Sequence, residues 1–314
     1  MTVLITGSGL IGTQISKLFL TQGEKVVVYD ISPQLESMKE LVDLSELSLV
    51  KGDILDLANL ISVMKENHID RVVHTAALLP GGLMKNIHNG IKVNTDGTLN
   101  VLEAARLLDV KRVIYTSTLG VYSKEGDPNE PLDEERASLK PLSLYGATKL
   151  MSEYSCTSYG KTYGLDARIV RFANIIGPWS GVIQTGTGGF VRELLEGASE
   201  GKEVQIPNPP AMVLEAEWIY SVDAATGVVL LMNGTNVKST TFNLGTGKTS
   251  KASEFVDCIR EILPSSRITI GGSKSLAVRP LRIERAREEL GWTPKYDLKS
   301  MIEDMLKWYE SKRN

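Results

Sequence analysis

Short runs of apolar, β-branched residues alternate along the first half of the chain with longer segments in which apolar positions recur every three or four residues. Thr2-Val3-Leu4-Ile5-Thr6, Lys25-Val26-Val27-Val28-Tyr29, Leu47-Ser48-Leu49-Val50, Arg71-Val72-Val73-His74-Thr75 and Lys111-Arg112-Val113-Ile114-Tyr115-Thr116 belong to the first kind. They predict strands buried on both faces, as in a parallel sheet. Between them, Ile15, Leu18 and Phe19 ahead of Gly23, and Leu99, Val101, Leu102, Ala105 and Leu108 after Asn94-Thr95, predict amphipathic helices. The segment from Leu78 to Gly90 holds Pro80, Gly81 and Gly82 and reads as a loop at a substrate rim, with no role assignable to Lys85, Asn86 or His88. Strand and helix in alternation predict an α/β fold with a doubly wound parallel sheet, which binds ligands outside the carboxyl ends of its strands.

The second half is patterned more weakly. Thr241 to Leu244 reads as a strand and Ser253 as near the start of a helix. Asp223 is placed to cap a helix from Ala224 to Met232, and Met301, Ile302, Met305, Leu306 and Trp308 mark a docked amphipathic helix. Thr185-Gly186-Thr187-Gly188-Gly189 follows no strand and reads as a mobile loop. Gly245-Thr246-Gly247-Lys248-Thr249 imitates part of a phosphate loop, but Phe242 stands where its first glycine belongs. Residues 1–175 are expected to form a dinucleotide-binding domain, and residues 176–314 a smaller α/β substrate lobe with some segments returning to the first.

Composition narrows the classes. The 314 residues hold Lys+Arg 35 against Asp+Glu 38, a net charge of −3, which disfavours nucleic acid and anionic membranes as partners. Cys156 and Cys258 have no metal-ligand spacing, so no metal is expected. No basic leader precedes the first apolar run, and no stretch approaches the ~20 apolar residues of a membrane span. A cytoplasmic protein is the resulting expectation.

The chemistry collects at predicted strand ends. Gly7-Ser8-Gly9-Leu10-Ile11-Gly12 lies between the first strand and a helix, the context in which G-x-G-x-x-G lets backbone approach a pyrophosphate at a helix N-terminus. Asp30 ends the second strand, where a carboxylate can take the adenosine ribose diol and would repel a 2′-phosphate. Ile31, Ser32 and Pro33 offer that phosphate no cation, so NAD is expected over NADP. Asp53 and Ile54 follow the third strand, Asp53 reading either as an adenine-side residue or as a turn residue. Ala76 and Ala77, after the fourth, are small enough to let a cofactor pass; Asn94 is counted with the cofactor residues, and His74 reads as packed. The fifth strand delivers Ser117 and Thr118. Tyr145 and Lys149, four apart, share one helix face, and the ammonium is expected to lower the tyrosine pKa from about 10 toward working pH.

These segments together resemble the extended short-chain dehydrogenases/reductases, specifically the NAD-dependent epimerase/dehydratase group, nearly end to end. The likeness rests on residues 93–105, on Tyr115 to Tyr122, on Tyr145-x-x-x-Lys149, on Arg171-Phe172-Ala173-Asn174-Ile175-Ile176-Gly177-Pro178 and on Leu290-Gly291-Trp292-Thr293-Pro294. It implies a Rossmann-type fold and a homodimer through the helices after Asn94 and Tyr145. It also implies that Tyr145 is the general acid/base, Lys149 the residue on the nicotinamide ribose, Thr118 the orienting hydroxyl and Asn174 a substrate contact.

The chain departs from the group at three places. Its glycine turn is one residue shorter. Leu119 and Gly120 stand where sugar dehydratases carry an Asp-Glu pair, which argues against dehydration. The segment from Pro207 to Tyr220 has no arginine for a diphosphate, leaving Arg192 and Arg279 as the candidates. The favoured expectation is therefore an NAD-dependent dehydrogenase of a small sugar, sugar acid or other hydroxylated compound. A (nucleotide-)sugar epimerase with tightly held NAD is the alternative, and a non-catalytic NAD-sensing regulator a third reading.

Overall fold

The computed structural model describes residues 1–127, 129–183, 186–272 and 278–312. Its first half runs β1 (Thr2–Thr6), α1 (Leu10–Thr21), β2 (Lys25–Asp30), α2 (Leu35–Lys39), β3 (Leu47–Lys51), α3 (Leu57–Glu66), β4 (Arg71–His74), α4 (Pro80–Lys85), α5 (Ile87–Leu107), β5 (Arg112–Thr118), α6 (Leu144–Tyr163) and β6 (Ala167–Phe172). There follow β7 (Asn174–Ile176), α7 (Gly186–Ser199), β8 (Glu203–Ile206), α8 (Ala211–Leu214), β9 (Glu215–Tyr220), α9 (Ser221–Asn233), β10 (Thr241–Leu244), β11 (Thr249–Lys251), α10 (Ala252–Ile262), β12 (Arg267–Ile270), α11 (Glu284–Leu290) and α12 (Leu298–Ser311). All five strands expected in the first half form, with small shifts at their ends.

Seven strands make one parallel sheet in the order β10-β6-β5-β4-β1-β2-β3. Strand order therefore reverses beside β1 and β4, the place where a doubly wound sheet opens a crevice at its carboxyl edge. One sheet face buries Ile15, Phe19, Val228, Phe242 and Trp292; the other buries Leu60, Met64, Val101, Leu102, Ala105 and Cys156. The continuously apolar strands satisfy both layers at once. A third core, built from Leu194, Leu195, Trp218, Phe255, Ile302 and Met305, lies among α7, β9, α10 and α12. β10 returns from this part of the chain to pair with β6. The remaining strands form a β11-β9-β7 sheet and a β12-β8 pair.

Three local expectations are corrected. The helix expected from Asn94 starts at Ile87: Asn86 caps it by accepting from the Asn89 amide at 3.1 Å, and Pro80 opens α4 within the expected loop. Gly90 is there because a Cβ would lie 2.7 Å from Leu83 Cγ. Residues 186–189, expected in a mobile loop, make the first turn of α7; Thr185 lies outside the described residues. Asp223 is inside α9 and does not cap it. Its Oδ2 accepts from the amides of Lys295 and Tyr296, both at 2.9 Å, so it ties the C-terminal segment to α9.

Candidate active site

The turn after β1 is shaped by what its glycines exclude. Gly7 has φ +89°, and a Cβ there would lie 2.8 Å from the Ala76 nitrogen; a Cβ on Gly12 would lie 2.1 Å from the Gly7 carbonyl oxygen. Gly9 differs, because a Cβ on it would meet nothing within 4 Å. Gly9 is also the N-cap of α1, and no side chain caps that helix. The amides of Leu10, Ile11 and Gly12 therefore face an open side with their orphan donors, the chemistry an anion takes at a helix N-terminus. Asp30 braces the turn, its Oδ2 accepting from the Ser8 amide at 2.7 Å and the Ser8 hydroxyl at 2.9 Å while Oδ1 accepts from the Ser32 amide. It stays partly exposed at the same edge. This donor set, with a carboxylate at the end of β2, fits a dinucleotide with a free ribose diol.

The neighbouring strand ends divide into lining and bracing. Ala76 and Ala77 are half-buried after β4, Ala76 lying close against Gly7. Asp53 makes a turn by accepting from the Leu55 amide at 2.9 Å, and Ile54 packs on Gly97 of α5. Asn94 is 2% exposed and its amide is spent within the protein: Oδ1 accepts from the Leu78 amide, and Nδ2 donates to the Leu78 carbonyl and the Thr148 hydroxyl. It fixes the backbone after Ala77. His74 is buried between the hydroxyls of Thr6 (2.6 Å) and Thr98 (3.0 Å), and burial with the nearby Lys149 charge pushes its pKa down to about 3.

Tyr145 and Lys149 come from the first turns of α6, which is capped by Ser143 accepting from the Gly146 amide at 3.0 Å. Gly146 lets that helix end press against the turn after β5, since a Cβ would lie 2.4 Å from the Gly120 carbonyl oxygen. Tyr145 is thereby carried to the turn headed by Thr118. Thr118 Oγ1 accepts from the Gly120 amide at 3.1 Å, which leaves its proton to donate elsewhere. Among the described residues, no protein group bonds the Tyr145 hydroxyl. Lys149 is 3% exposed; its Nζ donates to the Thr116 carbonyl at 2.8 Å and lies 4.8 Å from the Tyr115 ring centroid and 5.7 Å from that of Tyr145.

The electrostatics correct the expectation for this pair. Burial pushes the Tyr145 phenol up, and burial also lowers Lys149 to about 8, opposed by the nearby Glu153. Desolvation is the cause that sets the Tyr145 hydroxyl, and at neutral pH the phenol is in its acid form.

Ser117 points the other way from Thr118. It is buried, and its hydroxyl donates to Glu153 Oε1 at 2.5 Å. Glu153 is held by Arg171 through Nε (3.0 Å) and Nη2 (2.6 Å). Arg171 Nη1 continues to the Tyr122 hydroxyl and the Glu134 carbonyl, and the Tyr122 hydroxyl donates to Asn243 Oδ1. Sequence reading missed this network. Its only signals were Glu153 one turn beyond Lys149 and an arginine inside an apolar strand. Removing one partner of such a buried pair costs roughly 3–5 kcal/mol.

On the far side, Asn174 heads β7 and its Nδ2 donates to the Glu217 carbonyl at 2.9 Å. Both candidate arginines are tied to main-chain carbonyls. Arg192 Nη2 donates to the carbonyls of Trp179 and Gly181, and Arg279 donates to those of Glu125 and Glu130. Glu217, absent from the expected site, is 1% exposed and accepts from the amides of Gly247 and Leu281, both at 2.7 Å; burial pushes it up to about 7.

Known proteins supply the context. Residues 3–245 match the model of the NAD dependent epimerase/dehydratase family. A UDP-glucose 4-epimerase of Corynebacterium glutamicum is 28% identical over 97% of this chain and 94% of its own. The structure of a UDP-glucose 4-epimerase of Thermotoga maritima with UDP-glucose superposes with TM-score 0.87 at 23% identity, covering 100% of both chains. One from Stenotrophomonas maltophila, with bound NAD and formylated UDP-arabinopyranose, gives 0.85 at 26% identity over 100% of this chain and 99% of that one.

Proposed function

The chain belongs to the NAD-dependent epimerase/dehydratase family, and we propose that it inverts a secondary carbinol of a nucleotide-linked sugar by oxidising and re-reducing it in place. The observation that carries this reading is the placement of two hydroxyls with spare hydrogen-bonding capacity, Thr118 and Tyr145, at the sheet edge that also holds the open glycine turn. When bound, NAD⁺ supplies the hydride acceptor and a cationic ring. The amides of Leu10, Ile11 and Gly12 would hold its pyrophosphate, Asp30 its adenosine ribose and Lys149 its other ribose. Thr118 donates to the substrate oxygen and orients it; the Tyr145 phenol, having lost its own proton to solvent beside the positive charges of Lys149 and the bound cofactor, takes the carbinol proton at Oη and later returns it. Asn174 contacts the substrate. Leu119 and Gly120 provide no second proton-transfer group, so the outcome is redox chemistry at one carbon and not loss of water.

The 28% identity to a UDP-glucose 4-epimerase over nearly its whole length supports a nucleotide sugar. One observation favours a second reading, net dehydrogenation of a smaller hydroxylated compound: Arg192 and Arg279 are both tied to main-chain carbonyls. Purified protein incubated with NAD⁺ and UDP-hexoses, or with free sugars and sugar acids, separates the two. A new stereoisomer in the NMR spectrum without NADH supports epimerisation; NADH accumulating with a free sugar overturns it.

A homodimer suits the surface of α5 and α6, which pack together and expose Ile87, Ile91, Met151 and Tyr154. Among the described residues, no helix is long and apolar enough to cross a membrane.

A further inference from the structure

Tyr145, Lys149 and Glu153 stand on successive turns of α6, and the last of them reaches β5 and β6 at once. Two consecutive residues of β5 are pinned from α6, the Thr116 carbonyl accepting from Lys149 and the Ser117 hydroxyl donating to Glu153, directly ahead of Thr118, whose Oγ1 accepts from the Gly120 amide of its own turn. Lys149, in contrast, has no carboxylate bonded to it among the described residues. Its buried ammonium is held there by one carbonyl and the faces of two tyrosines, without a direct counter-ion.

We propose that Glu153 is a positioning residue for the reaction: its carboxylate fixes the strand end that carries Thr118 and supplies the counter-charge that keeps Lys149 an ammonium. Among the described residues, the surroundings of Lys149 offer no other group for the second task. On α6 it faces Tyr145, Glu153 and Cys156, whose thiol burial pushes up and keeps neutral. On β5 it faces Tyr115, and on β4 the neutral His74. On β6 stands Arg171, of the same sign as Lys149, which grips Glu153 through both carboxylate oxygens. Glu153 thus acts at a distance on the lysine while its direct bonds go to Ser117 and Arg171. The bidentate grip fixes the distance between the charges, and therefore the fraction of Lys149 that is cationic near pH 8.

The inference rests on the role proposed for Lys149, but its test is read without cofactor or substrate. Protein carrying lysine labelled with ¹³C at Cε is titrated by NMR, the Lys149 signal being assigned by its loss in Lys149→Arg. The wild-type midpoint lies near 8. Glu153→Gln lowers it by on the order of one pH unit, the effect of removing an opposite charge a few ångströms away, and moves the alkaline limb of turnover down equally. Ser117→Ala removes only the pin and leaves the midpoint where it was. An unchanged midpoint in folded Glu153→Gln overturns the proposal. Should Glu153→Gln not fold, Glu153→Asp decides: it keeps the charge but withdraws the carboxylate from Ser117, so kcat falls with KM unchanged and the Lys149 midpoint moves, and wild-type kcat with an unmoved midpoint there overturns the proposal. Failure of the role given to Tyr145 and Lys149 would appear separately, as turnover that survives Tyr145→Phe.

Discussion

Asp30, the last residue of β2, accepts from both the amide and the hydroxyl of Ser8, at 2.7 and 2.9 Å, across 22 positions of sequence. The residue assigned to the ribose therefore also holds the turn assigned to the pyrophosphate. Asp30→Ala removes both functions, and with charge-assisted bonds worth about 1.5–3 kcal/mol each the NAD⁺ dissociation constant rises at least about tenfold. Calorimetric titration checks this, and wild-type affinity in the variant would refute the ribose assignment.

Gly9 gives a sharper test of the same turn. A Cβ there meets no protein atom within 4 Å, so Gly9→Ala leaves the melting temperature within a few degrees of wild type while its methyl group occupies the open side and weakens NAD⁺ binding. Gly12→Ala differs, because the added carbon would sit 2.1 Å from the Gly7 carbonyl oxygen; it destabilises the fold as well. Equal NAD⁺ affinity in Gly9→Ala and wild type would move the cofactor elsewhere.

His74 sets a cost at low pH. Its pKa is lowered to about 3 from an ordinary 6.5, so between those values the unfolded chain binds a proton that the folded one refuses. The contribution is complete above 6.5 and is lost as pH falls toward 3. At about pH 4.5 the loss is roughly 2–3 kcal/mol. Denaturant unfolding at neutral pH and at about pH 4.5 should show a smaller drop for His74→Gln than for wild type; equal drops would contradict the buried neutral imidazole.

Much of this site is local in sequence, and much is not. The β1 turn, Asp30 and the Tyr145–Lys149 pair each declare themselves through short spacings. The bonds of Glu153 to Arg171 and of Glu217 to Leu281 join residues 18 and 64 positions apart, and nothing in their spacing announces a partner. Gly90 misled because a glycine demanded by close packing inside a helix looks like a loop glycine. Tyr145 misled differently: its position was legible, but the balance between burial and a nearby charge depends on depth, which only the packed chain fixes.

Glu217 runs opposite to His74. Its pKa is raised to about 7 from 4.5, so the folded state keeps a proton that the unfolded chain gives up, and stability falls as pH rises through that window, by roughly 3 kcal/mol in all. Glu217→Gln loses an acceptor at every pH but removes this slope. Stability measured between about pH 4.5 and 7.5 should therefore rise more steeply with pH in the variant than in wild type, and parallel curves would contradict a proton-holding carboxyl.

The most direct measurement is Tyr145→Phe, assayed for NAD⁺ binding and for turnover on whichever sugar the wild type converts. The variant loses only the hydroxyl, which among the described residues bonds no protein group. It should fold, bind NAD⁺ with wild-type affinity and turn over at least ~100-fold more slowly, the usual contribution of a positioned acid/base. Turnover close to wild type, with NAD⁺ bound, would contradict the account.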